Sequence, residues 1–136
     1  MCKIGDIIVV NSYKGDDGIV LKSHSFIVLD DTLGTIEGCS YDLICNVMSS
    51  FRNKSGEYKT KKLKHQENLG VTKNDLSVIG NTEEGYIKAD KLYFFEKNKL
   101  NYTVIGNINP DIFAKLLLLI QKLQENGKLI NVTLNL

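Results

Sequence analysis

Tyr41-Asp42-Leu43-Ile44-Cys45-Asn46-Val47-Met48 is the stretch on which the reading of this chain turns. Leu43, Cys45 and Val47 alternate with Asp42, Ile44, Asn46 and Met48. Successive side chains of a strand point to opposite faces, so this period of two describes a β-strand with one apolar face. Strand signals continue on both sides. Asp6-Ile7-Ile8-Val9-Val10 is rich in β-branched residues and bounded by Gly5 and Asn11-Ser12, as a buried strand is. Lys14-Gly15-Asp16-Asp17-Gly18 is a loop, since glycine supplies positive φ and aspartate bonds back to the local backbone. Phe26-Ile27-Val28-Leu29 is the next apolar stretch, closed by Asp30-Asp31 and a turn at Gly34 before Ile36. Weaker strands are expected at 69–71, 76–79 and 85–88, and stronger ones at 91–95 and 100–105. Short strands separated by turns predict a mainly β domain, a small barrel or sandwich, rather than βαβ units.

One helix is expected, over about 110–125. Asn109 suits the N-cap, Pro110 the first helical position, and Asp111 the positive end of the helix dipole. Ile112, Phe113, Leu116, Leu117, Ile120 and Leu123 recur at helical spacing, and Gly127 lies just past the end. Leu118 and Leu119 widen the apolar arc, which fits either a fully buried helix or one that packs partly on a second subunit. Residues 127–136 alternate apolar and polar and read as an extra strand or an apolar tail.

With 136 residues, the chain has the size of one domain, 1–136, large enough for a real core. Hydrophobic residues make up 43% and charged residues 24%, and the net charge is +1, which excludes a disordered or polyelectrolyte chain. No apolar run reaches the roughly 18 residues that cross a bilayer, and no leader with a cleavage site precedes the first strand. A soluble, cytoplasmic product is the expectation. Cys2, Cys39 and Cys45 are odd in number and form no CxxC pair, and there are only two histidines, so neither a disulfide framework nor a metal site is expected. Cys45 reads as a small buried hydrophobe.

Charge is informative by position. Residues 52–65 hold Arg52, Lys54, Lys59, Lys61, Lys62 and Lys64 against Glu57 alone, a local charge of +5, while the rest of the chain carries −4. Such a cationic segment is either a solvated loop or a grip on a phosphate backbone. His24, flanked by Lys22, Ser23 and Ser25 just before the Phe26 stretch, is either structural or a general acid or base, its usual pKa being about 6.5. Ser49-Ser50, followed by Phe51-Arg52, sets two hydroxyls beside a guanidinium, a combination suited to a phosphate or oxyanion. No GxSxG, P-loop or GxGxxG motif is present.

In order, these elements resemble the MazF/PemK family of toxin endoribonucleases over most of the chain. Lys3-Ile4-Gly5-Asp6-Ile7-Ile8-Val9 is similar to the family's opening "basic, x, Gly-Asp, apolar" strand. His24-Ser25-Phe26-Ile27-Val28-Leu29-Asp30-Asp31 takes the place of its "Arg-Pro, apolar strand, Asn/Asp" motif. Tyr41 to Ser50 is similar to the third element, an apolar strand ending in a Thr or Ser hydroxyl. Gly85 to Leu92, Lys97-Asn98-Lys99-Leu100, Ile105-Gly106-Asn107-Ile108 and the helix follow the closing order.

The resemblance implies an SH3-like β-barrel of about five to seven strands with a C-terminal helix, in a homodimer. It implies cleavage of single-stranded RNA without metal or cofactor, leaving a cyclic phosphate, and neutralisation by a cognate antitoxin protein. By position, Ser49 matches the catalytic hydroxyl, and His24 stands where the family has a catalytic Arg. Arginine is always charged and forks onto phosphate, whereas histidine exchanges protons. Three arrangements follow: His24 acts as acid or base while Arg52 or a lysine supplies fixed charge; Lys22 takes the charge role; or the site is degenerate and the chain is a nucleic-acid- or protein-binding module. Ser50, Lys54, Lys59, Lys61, Lys62, Lys64 and His65 join Lys22 as candidate RNA contacts. Loops 12–23 and 51–66 are expected to build the base pockets. The gyrase-poisoning relatives end in a Trp-containing motif, and this chain has no Trp.

Overall fold

In the computed structural model of the chain, the described residues are 2–30, 43–50, 67–72, 74–78 and 85–135, with Ser50 and Val78 described as backbone only. Among these residues nine strands, one α-helix and a 3₁₀ turn (Lys97–Lys99) follow in order. They are β1 (Asp6–Lys14), β2 (Val20–Asp30), β3 (Leu43–Ser50), β4 (Asn68–Val71), β5 (Leu76–Val78), β6 (Gly85–Lys88), β7 (Lys91–Phe95), β8 (Tyr102–Ile108), α1 (Pro110–Glu125) and β9 (Ile130–Val132). The expected class, β-barrel plus C-terminal helix, is the one found. All nine strands join one sheet, more than the five to seven expected, because several segments of three or four residues pair as edge strands. Its path runs β4-β6-β3-β2-β1-β8-β5, with β7 on β3 and β9 on β7. Pairing is antiparallel throughout except between β7 and β9.

The Gly5-Asp6 step starts the sheet. Gly5 has φ 87°, a left-handed conformation that favours glycine. The Asp6 carboxylate accepts from the Lys3 N–H at 2.9 Å, closing a tight turn. Gly5 then donates to the Val28 carbonyl and accepts from the Ile108 N–H, which seats the turn between β2 and β8.

β3 is paired along both edges, and along one of them it changes partner. Leu43, Ile44 and Cys45 face β7, whereas Met48, Ser49 and Ser50 face β6. Between Cys45↔Tyr93 and Met48↔Ile87, three steps on β3 oppose six on the β6–β7 side, a bulge centred on Ala89-Asp90. Asn46, fully buried, spans it: its side-chain amide donates to the Lys91 carbonyl at 2.7 Å.

The central strands therefore have a core on each face. One is aromatic: Phe26 meets Tyr13, Tyr93 and Phe95 edge-to-face at 4.9, 5.2 and 5.3 Å. Val10, Val28 and the expected face of Leu43, Cys45 and Val47 join it. Cys45 is wholly buried, and burial, with Cys2 nearby, pushes its thiol well above the usual range. The other core lies under α1, where Ile7, Ile27, Val71 and Ile87 meet Leu116 and Leu123.

The helix has the expected bounds and caps. The Asn109 side chain accepts from the Asp111 N–H at 2.9 Å, with Pro110 in the first turn. At the other end, the N–H groups of Gly127 (φ 66°) and Lys128 bond the carbonyls of Gln124 and Leu123, a Schellman termination. The helix is not fully buried, however: Leu117 and Leu118 are 44% and 66% exposed. The run Leu116–Ile120 wraps right round the helix, and only its inner residues reach the sheet. No helix among the described residues is long and apolar enough to cross a membrane.

Two sequence expectations need correction. β2 begins at Val20, so His24 lies within the strand rather than before it, and 12–14 and 20–23 are strand rather than loop. The tail resolves into strand β9, beside β7. Cys39 and the segment 51–66 lie outside the described residues.

Phe26→Ala removes the ring at the centre of the aromatic core. It is expected to cost about 3–5 kcal/mol, read as a lower urea midpoint at unchanged slope.

Candidate functional site

Register alone brings two of the sequence-chosen residues together. The β1–β2 pairing runs unbroken from Ile7↔Ile27 to Lys14↔Val20, setting His24 opposite Val10 and Lys22 opposite Ser12. With no bulge between them, Lys22 and His24 fall on one side of β2. In the next pair, Phe26↔Val47, Ile27↔Asn46 and Val28↔Cys45 define the register; the pairing ends at Phe26↔Val47, and His24 and Ser49 each lie two residues beyond it on neighbouring strands. By alternation His24 belongs with Phe26 and Val28, and Ser49 with Cys45 and Val47. Both sit at the rim of the aromatic core, half-buried, with Lys22 exposed beyond them.

The rim has a floor that the sequence did not announce. The Tyr13 ring lies edge-on to the His24 imidazole, centroids 6.3 Å apart, and packs on Tyr93 at 5.7 Å. Burial raises the Tyr13 phenol. Tyr93 is pushed up to about 12, mainly by burial, then by Tyr13, Asp16, Asp17 and Asp90. Both phenols thus remain protonated at neutral pH and act as donors, not bases. An aromatic three residues past the end of an apolar strand was the only signal for Tyr13. Nothing but its place in β7 marked Tyr93.

Ser50 follows Ser49 in β3, its backbone pairing with Gly85. Arg52, Lys54, Lys59, Lys61, Lys62, Lys64 and His65 lie outside the described residues. Comparison of the chain with family models, with curated proteins and with solved structures finds no match. The site is described by its own geometry.

Around the rim the charges are set by contact. Lys91 reaches Asp16 at 3.2 Å, joining the β1–β2 loop to β7. Asp90, half-buried in the bulge, has its carboxyl raised chiefly by burial, its own backbone N–H opposing and Glu67 reinforcing the shift. Among the described residues no group of three or more His, Cys, Asp or Glu side chains is placed to hold a metal ion. A half-buried imidazole and a half-buried hydroxyl on neighbouring strands, with an exposed lysine further out, have proton exchange, hydrogen-bond donation and positive charge to offer.

The raised Asp90 carboxyl has a stability consequence. The folded state holds this proton more tightly than the unfolded chain, whose value is near 3.8, so stability falls as pH rises through the folded value and stays lower at neutrality. Asp90→Asn is expected to raise Tm at pH 7 and to leave it unchanged at pH 3. A gain of equal size at both pH values would rule out ionisation as the cause.

Proposed function

We propose that the chain is a toxin-type, metal-independent endoribonuclease that cuts single-stranded RNA, with His24 and Ser49 flanking the scissile phosphate. The observation that supports it is that these two residues, both half-buried, each lie two positions beyond the last β2–β3 pair on neighbouring strands. Their place in the MazF/PemK-like order of motifs supports it separately.

In this reading the RNA 2′-hydroxyl loses its proton and attacks phosphorus. The bond to the 5′ oxygen breaks, that oxygen takes a proton, and a 2′,3′-cyclic phosphate remains. His24 carries one of the two proton transfers. The Ser49 hydroxyl donates to a non-bridging oxygen as charge builds on it. Arg52 supplies fixed positive charge, and Lys22, Ser50, Lys54, Lys59, Lys61, Lys62, Lys64 and His65 hold the strand through phosphate contacts. The same reading gives the protein a homodimeric state, a cognate antitoxin partner and a cytoplasmic site of action.

The test is cleavage of a single-stranded RNA by purified protein in EDTA. Activity is expected to survive the chelator and to fall about 10²–10⁴-fold in His24→Ala, with a loss in Ser49→Ala as well. Cleavage by His24→Ala at the parent rate would overturn the assignment. RNA retained uncut, with an affinity that falls steeply with salt, would identify a binding module instead.

A further inference from the structure

The β1–β2 hairpin projects past its neighbours. β8 pairs with β1 only as far as Val10↔Tyr102, followed by one bond from the Asn11 N–H to the Asn101 carbonyl at 3.1 Å. β3 pairs with β2 no further out than Phe26↔Val47. Among the described strands, Ser12–Lys14 and Val20–Lys22 therefore pair only with each other. A lone two-stranded hairpin is marginal in water. This one also carries Ile19, Val20 and Leu21, which are 60%, 61% and 40% exposed at its end.

The C-terminal tail supplies what is missing. Asn135 Oδ1 accepts from the Lys14 N–H at 2.7 Å, and Asn135 Nδ2 donates to the Lys14 carbonyl at 2.9 Å. One carboxamide thus satisfies both backbone groups of one strand residue, as a neighbouring strand would. Beside it, Leu134 lies over Gly18 (φ 81°), where an added Cβ would meet its Cδ1 at 3.9 Å. The tail is itself anchored by β9 on β7, and the Asp16–Lys91 pair ties the hairpin loop to that same strand.

We infer that Leu134-Asn135 is a releasable latch that holds the β1–β2 hairpin against β7 and β9. The latch is releasable because both its hydrogen bonds are exposed and come from a side chain beyond the last strand. Tyr13, one residue before the latched Lys14, abuts His24, so opening the latch loosens the floor under that imidazole. Only this bearing on RNA cleavage rests on the function proposed above.

The experiment is residue-resolved amide exchange on the full chain, comparing the parent with Asn135→Ala and Asn135→Asp. In Asn135→Ala, amides across Ser12–Lys22 are expected to exchange about tenfold faster, with those of Ile7–Val10 unchanged. Asn135→Asp keeps the acceptor and loses the donor, so a smaller rise is expected, and in both variants the His24 ring resonances broaden. Faster exchange confined to the Lys14 amide, no change, or a uniform rise through the sheet would each overturn the latch. No RNA enters this measurement, so an inactive protein with a working latch and an active one without it give different results.

Discussion

β3 changes partner half-way along its length, and the Asn46 side chain holds the place where it does so. Without the bulge at Ala89-Asp90, β6 and β7 would continue as one strand along β3. With it, β6 is free to leave toward β4 on the helix side while β7 stays with the aromatic side. The same bulge ties in two more elements: Ala89 donates to the Glu67 carbonyl at 2.8 Å, and the Asp90 carbonyl accepts from the Ile130 N–H at 2.7 Å. A buried amide is costly unless bonded, and for Asn46 the bond to Lys91 offsets that cost on the Nδ2 side. Its Oδ1 has no hydrogen-bond partner among the described residues.

The rim inherits its composition from that geometry. Because β3 continues past the bulge to Ser50, its odd residues run from the aromatic core out to a half-exposed hydroxyl at Ser49. Burial keeps the Tyr13 and Tyr93 phenols below protonated, and the Tyr13 ring lies edge-on to the His24 imidazole. The positive charge of the chain is concentrated in 52–65, which follows β3 almost directly, so near-neutrality overall coexists with a cationic segment next in sequence to this rim.

How legible all this was depended on whether each residue's burial matched its polarity. Leu43, Cys45 and Val47 could be placed on one face because apolar side chains at period two are buried side chains. The helix was readable to its ends because Asn109, Pro110 and Gly127 each fit one terminal geometry. The first half of β2 was not, since Lys22, Ser23 and His24 belong to an exposed hairpin whose pairing, not burial, makes it a strand. Asn46 looked like part of a polar face and is wholly buried, because a tertiary bond to Lys91 overrides its polarity. At the site, His24 and Ser49 were named from their chemistry and from motif order, but that their strands are neighbours is a property of pairing that no local pattern encodes.

The contact between Lys14 and Asn135 spans 121 residues, and that span has a kinetic meaning. Closing such a loop for two hydrogen bonds alone would be a losing exchange of chain entropy. Once β1 has met β8 and β9 has met β7, most of that loop is already closed, and the remaining search is short. Residues 134–135 therefore dock late in folding, after the long-range ladders, and a docked Asn135 reports that β1 and β9 have both found the sheet.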